Sequence, residues 1–443
     1  GVVGTVGTPS GSGTLTTSVA TAAGTVLGDA DVGGTVGRVN GTIEIDDVQT
    51  RNSETNATGD AVGGVIGRVA PGSDVTLTSI DVGPSDEMRD PYPNDVYAVS
   101  GTDFVGGAVG VVSAANVTLN GVRIENRLDV RGADYVGGVV GMAVGASTLD
   151  ADGVNVTATV SATGDLVGGV IGEVGILGGS STSATHQLRN VTTHADTTVG
   201  GVRVVGGIVG NVDDGVTLHL DGIATDGLVS GQRYVGGVVG EADDASTLAL
   251  TNVEASGNVE AKRVIANEGI QGFGGVLGRL DEGSHADLSD VTASTNVIVP
   301  STENASNFGG VIGKIHDGGS IDLDRVRVGG PATIGQTTEN AELFDVGGVV
   351  GDLEDGVAHL DDVSVADDVT VHGDTRVGGV VGNAQTTEAT ASLTDVRVDA
   401  TVEGGRFVGG VIGDATGTVI LDRIDVGPEA TISGGETLGG IVG

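Results

Sequence analysis

Along most of the chain, apolar and polar residues alternate with period two. The runs are short, rich in Val, Ile, Leu and Thr, and broken by Gly, Asn and Asp. That is the pattern of β-strands with one face buried. No segment of useful length carries the 3.6-residue period of a helix. The alternation fails at one recurring phrase: "FVGGAVGVV" from Phe104, "YVGGVVGMA" from Tyr135, "YVGGVVGEA" from Tyr234 and "FVGGVIGDA" from Phe407. Three glycines and consecutive apolar residues do not fit a strand with one face in water.

The phrase defines a repeat. Its Gly-Gly pair begins at 33, 63, 106, 137, 168, 206, 236, 274, 309, 347, 378, 409 and 439. The base spacing is 30 or 31 residues, and five intervals are longer, at 35, 38 or 43. In most copies a second landmark follows the pair by 14 to 16 residues, as in "LTNV" at 250–253, "LSDV" at 288–291, "LDDV" at 360–363 and "LTDV" at 393–396. A third apolar stretch, such as "VTATVSATG" from Val156, leads into the next phrase. Three short strands per repeat and no helices predict an all-β fold, a parallel β-solenoid (β-helix) of about 13 coils of 30–31 residues.

Residues 1–443 read as one solenoid domain with insertion loops near 83–97, 175–184, 261–271, 299–307 and 333–343. The chain starts and stops inside its own motif, so the expectation is a segment of a longer or polymerised chain. The loops at 261–271, 299–307 and 333–343 leave consecutive units from the same side. They are expected to gather into one protrusion for lateral or partner contacts.

The landmarks have expected roles. Asp47, Asn190, Asn252, Asp290, Asp362 and Asp395 occupy the polar position of the second landmark. Asn and Asp tolerate left-handed backbone and bond their own turn, so these six are expected to stack as a structural corner ladder. Phe104, Tyr135, Tyr234, Phe273, Phe308 and Phe407 sit beside the glycine pair. They are expected to cover bare glycine backbone. The polar residue that closes the phrase, such as Glu241, should face water. Counting back by two then turns outward an apolar column running from Val36 through Ile66, Val140 and Val239 to Ile412. Such a column is rarely left wet. Either the glycines make a bulge or corner that turns both neighbours inward, or a second sheet covers this face.

The phrases "VGGVVG" and "VGGVIG", with the following "TLALTNVEASGNVEA" at 247–261, resemble the GLUG-repeat family. The likeness covers nearly the whole chain, with Val where that family often has Leu and Asp where it favours Asn or Ser. The resemblance implies a β-solenoid of a prokaryotic surface or extracellular protein. It transfers no catalytic residue.

Composition sharpens this. Glycine is 82 of 443 residues, Cys and Trp are absent, and Phe plus Tyr total nine. An aromatic-rich core, a disulfide framework and thiolate metal sites are excluded. The formal charge is −40, with Asp over Glu at 42 to 18 and Arg over Lys at 18 to 2. Nucleic acid and anionic membrane surfaces are poor partners for such a chain. At molar salt the screening length falls to roughly 3 Å, so this balance fits a salt-adapted, halophilic archaeal source.

Candidate chemistry is sparse. His219, His285, His316 and His359 lie at offsets 13, 11, 7 and 12 from their preceding glycine pairs and predict no clean column. No zincin, nucleophile-elbow or phosphate-loop signature occurs. No cofactor is expected. The turns after the phrase are acidic, and Asp213, Asp214, Asp243, Asp244, Asp281, Asp317 and Asp355 are weak candidates for Ca²⁺ or monovalent cations. N-x-S/T sequons occur at Asn40, Asn56, Asn116, Asn155, Asn190 and Asn304. Asn56 and Asn304 are expected first, for their loop-like surroundings.

These readings favour a non-enzymatic structural protein at the cell surface or outside the cell: the shaft or subunit of a filament, stalk or adhesin that self-associates end to end or laterally. The alternative is a glycan- or surface-binding β-helix module, and, less favoured, a polysaccharide-degrading enzyme. Neither nucleic-acid binding nor membrane insertion is expected of this segment.

Overall fold

A computed structural model describes residues 3–7, 13–84, 97–175, 184–262, 269–299, 304–336 and 342–443. Every regular element among them is a β-strand, and strands of successive repeats pair in parallel, giving an all-β parallel β-helix. The centres of the five inserted loops, 85–96, 176–183, 263–268, 300–303 and 337–341, lie outside the described residues. The chain forms two compact units, Gly1–Gly201 with Gly207–Asp221 and Val202–Gly206 with Gly222–Gly443.

One repeat of each unit shows the anatomy. In the first unit, strand Asp134–Gly137 is followed by a two-residue bend and strand Val140–Val144. Strands Thr148–Asp152, Asn155–Val156 and Thr159–Ala162 complete the turn. In the second unit, Leu343–Gly347, a bend, Val350–Glu354, Val357–Val365 and Val369–His372 play the same parts.

The bend resolves the broken alternation. It is a corner, so Val139, within it, and Val140, just after it, both point into the core, as do Val349 and Val350. Every member of the apolar column from Val36 to Ile412 is at most 2% exposed. Period-two counting cannot cross a corner, because the chain changes direction there.

The three glycines of the phrase each meet a different obstacle. At Gly137 a Cβ would overlap the Val140 carbonyl oxygen across the tight corner. At Gly138 it would overlap the Gly169 carbonyl oxygen of the next repeat. At Gly141 it would come within 2.7 Å of the Phe104 carbonyl carbon and the Val105 nitrogen. In the second unit Gly347, Gly348 and Gly351 meet the equivalent atoms. The phrase is therefore a backbone-packing device.

A second corner restores the phase. Asp47, Asn190, Asn252, Asp290, Asp362 and Asp395 are exposed and left-handed, with φ between 50° and 54° for five of them and 55° at Asp290. One left-handed residue lets Leu288 and Val291, three apart, both face inward, where a plain strand would send one of them out. Asp290 receives a bidentate pair from Arg325 of the next repeat, at 2.7 and 2.9 Å. Asn190 donates to Asp152 Oδ1 at 2.8 Å. These side chains bond across repeats.

The core between corners is made of Val, Ile and Leu. Phe273 and Phe308 belong to it, fully buried and stacked at 5.1 Å in the column that otherwise holds Val346 and Val377. They are core residues and not covers for glycine. Tyr234 does cover a glycine, since a Cβ on Gly272 would lie 2.8 Å from its ring.

Candidate functional site

The polar residue that closes the phrase is buried in five repeats, against expectation, and half-buried at Arg38, Arg68, Arg279, Lys314 and Asp414. Glu173, Asn211, Glu241, Asp352 and Asn383 are 4–7% exposed. Beside them runs a column of left-handed residues placed two before each glycine pair from Gly33 to Gly409. In the first unit it reads Asp31, Ala61, Phe104, Tyr135 and Leu166, with φ of 50–62°. In the second it includes Val204, Tyr234, Asn307, Asp345, Arg376 and Phe407, with φ of 48–64°. The left-handed backbone aims these side chains at the phrase-closing column, so the two columns form a seam.

In the first unit the seam begins as an ion cluster. Asp31 holds Arg38 at 3.1 Å and Arg68 at 2.6 Å. It continues apolar: Phe104 and Tyr135 stack at 5.0 Å and pack on Ala61, Val111, Met142 and Val144. Then Glu173 follows, nine-tenths buried. Burial first, then the charges of Asp213 and Asp214, push its carboxyl up to about 8. His186, elsewhere in this unit's core, is fully buried with neither ring nitrogen hydrogen-bonded among the described residues, and burial pulls it down to about 4.

In the second unit the seam is polar. The Arg233 and Arg279 guanidiniums lie over the Tyr234 ring at 4.9 and 4.5 Å. Arg279 pairs with Glu241 at 3.0 Å and with Asp281. Further along, Asn307 donates to Asp352 Oδ2 and Asn383 to Asp352 Oδ1, both at 2.9 Å. Arg376 holds Asp345 through two nitrogens, and Lys314 sits 2.7 Å from Glu354 and 3.9 Å from Asp352. Burial, then the Asp345 charge, raises Asp352 to about 7.

The acidic turns are mixed. Asp281 is buried and neutralised by Arg279, which corrects its reading as an open cation ligand. Asp244, Asp317 and Asp355 are exposed. Asp243 is half-buried in the second unit, and Asp213 and Asp214 are half-buried in the first. Crowding is real where turns stack: a hydrogen bond that the protonated Glu282 carboxyl donates to Asp244, and then the Asp244 charge, raise Glu282.

A different cluster lies on the outer face of the second unit. His285 Nε2 is 3.1 Å from Asp287 Oδ1 and 3.7 Å from Asp322 Oδ2. His285 Nδ1 is 2.9 Å from Ser320 Oγ. His359 stands beside Asp322 in register, and Asp322 beside Asp287. Sequence offsets missed this grouping. His359, Asp287 and Asp322 share one column although their offsets are 12, 13 and 13, because the turn before His359 is one residue shorter.

The sequons are placed as follows. Asn56 lies inside strand Gly41–Ala57 and donates to Glu54 Oε1 at 3.1 Å, so its loop-like reading is corrected. Asn40 and Asn155 are half-buried. Asn116 and Asn190 are exposed strand residues with their amides engaged by neighbouring repeats. Asn304 is exposed and accepts from the Glu342 amide at 3.1 Å.

No family model, no curated protein and no solved structure matches this chain. The likeness to GLUG repeats remains a resemblance carried by the glycine phrase.

Proposed function

We propose that this chain is a non-enzymatic structural protein: the repeat shaft or a subunit of a cell-surface or extracellular filament, stalk or adhesin in a salt-loving prokaryote. About thirteen coils of 30–31 residues would make it up. One observation carries the reading. Repeats separated by 38, 35 and 38 residues still pair strand to strand in a single register, from Val235 to Phe273, Phe308 and Val346. Each strand templates the next, which is the property a load-bearing repeat needs. The charge of −40 supports assembly at high ionic strength, where like-charged copies can approach.

The test is electron microscopy of the purified chain in molar salt and after dialysis to tens of millimolar. Fibres or bundles are expected in the first condition and looser or single particles in the second. Single particles of one size in both conditions would overturn the self-association reading.

A further inference from the structure

The outer face of the second unit holds a group of side chains that the scaffold role does not use. His285 and Asp287 are two apart on strand His285–Ala293, so they project from the same face. Asp322 comes from strand Ser320–Val328, in register with Asp287. The side chains of His285, Asp287 and Asp322 are 36%, 57% and 49% exposed. Their donor atoms lie within 4.8 Å of one another.

The charges here are not neutralised in the manner of the neighbouring column. There, Arg325 takes both Asp290 and Asp324. Among the described residues, the only ion-pair partner of Asp287 and Asp322 is His285. Two parallel carboxylates one strand spacing apart repel one another, and a cation placed between them removes the repulsion.

The imidazole decides what kind of cation fits. In one tautomer Nδ1–H donates to Ser320 Oγ, and Nε2 turns a lone pair toward both carboxylates. Three acceptors then converge on one point, held on a hydrogen-bonded sheet. A partner on the far ring nitrogen is how metal-binding histidines are usually oriented. In the other tautomer Nε2–H donates to Asp287, Ser320 donates to Nδ1, and no ion is needed. One nitrogen and two carboxylates suit a borderline dication such as Zn²⁺, with water completing four-coordination. They are too few and too mixed for Ca²⁺, which takes six to eight oxygens.

We propose that His285, Asp287 and Asp322 form a surface site for a transition-metal dication of the zinc class, oriented by Ser320. It goes beyond the scaffold reading and does not depend on it.

The experiment uses the full chain, stripped with chelator and titrated with ZnCl₂ in molar NaCl. Binding is followed by calorimetry and by the histidine ring nitrogens in ¹H–¹⁵N spectra. Saturable binding of one Zn²⁺ is expected, with the His285 Nε2 resonance moving and excess CaCl₂ failing to displace the metal. His285→Ala and Asp322→Asn should each weaken this site at least about tenfold, and Ser320→Ala by about 10-fold or more through lost orientation. Circular dichroism should be unchanged, because all four residues face outward. Zn²⁺ uptake equal in wild type and His285→Ala overturns the proposal, marking adsorption to scattered carboxylates. So does a His285 ring that titrates with pH and ignores Zn²⁺, marking the proton-only arrangement. Ca²⁺ displacing Zn²⁺ at matched concentration overturns the selectivity.

Discussion

In the first unit, the middle of the seam is Ala61, Phe104, Tyr135, Val111 and Met142, an apolar strip. In the second, the same positions hold Asn307, Asp345, Arg376, Lys314 and Asp352, joined by hydrogen bonds and ion pairs. The backbone does not register the difference. Tyr135 at φ 56° and Arg376 at φ 59° adopt one left-handed conformation, although neither residue type favours it. Left-handed backbone costs such residues about 1–2 kcal/mol each. The conformation is therefore imposed by the glycine phrase and the strands around it, which frees the side chain to be oily or charged. The outer corner, where Asp and Asn recur, uses residues that accept the conformation by their own chemistry.

The sharpest way to break this comparison is at the glycines. Gly141→Ala and Gly351→Ala place a Cβ against backbone of the preceding repeat. Each should cost about 4 kcal/mol or more, alike in both units whatever the seam contains. Denaturant melts of the two variants measure this; a wild-type midpoint for either would show that the corner is set elsewhere.

Next come the buried acids. Glu173 and Asp352 both have folded values, about 8 and about 7, above those of exposed carboxyls. Their contribution to stability is therefore present in acid and lost as pH rises through those values. Glu173→Gln should stabilise the protein above pH 8, by on the order of 4 kcal/mol. Asp352→Asn should gain less, because ionised Asp352 has Asn307, Asn383 and Lys314 to receive it. Melting temperatures between neutral and alkaline pH compare them, and equal gains would mean the polar seam does not compensate its charge.

His186 carries the opposite sign. Its folded value of about 4 is below the ordinary 6.5, so its contribution is present above 6.5 and lost as pH falls toward 4. His186→Leu removes two unpaired buried nitrogens and should stabilise by about 1–3 kcal/mol at neutral pH, more in acid. A variant that melts with wild type at both pH values would show that the ring is hydrated in solution.

The smallest effect is expected at the outer corner. Arg423 is left-handed at φ 52° and pairs with Asp395 and Asp422 on the exposed surface. Arg423→Gly should leave the molar-salt melting temperature unchanged, because screening has already weakened the pairs and glycine accepts the conformation. A clear loss would show that these surface pairs hold the repeats together.

Much of this architecture was legible because repeats announce themselves. The spacing of Leu288 and Val291 already contained the outer corner, since two inward residues three apart need one extra step between them. The inner corner was harder. Its left-handed position holds Asp31, Asn307 and Asp345 in three repeats but Ala, Phe, Leu, Val, Tyr or Arg in most, types that do not signal that conformation. Counting back by two from the phrase-closing residue turned Val140 outward unless a bulge or corner intervened. The burial of Glu173 and Asp352 was missed one step earlier, because a polar residue closing the phrase was itself taken to face water. The His285 cluster joins a histidine to Asp287 two along its own strand and to Asp322 across the next, so comparing histidine offsets only with one another does not find it. A turn one residue shorter hid that His359 shares the Asp287 and Asp322 column.

The glycine phrase also works as a frame marker. Between Gly236 and Gly347 the intervals are 38, 35 and 38 residues, yet Val235, Phe273, Phe308 and Val346 align. Each phrase restores the reading frame that the preceding insertion shifted, so errors of length stay local and are not handed on. A gene encoding such a chain can gain a loop, lose one, or copy a whole repeat, and the next phrase still finds its partner. Length variation that would scramble an ordinary sheet becomes material for diversification.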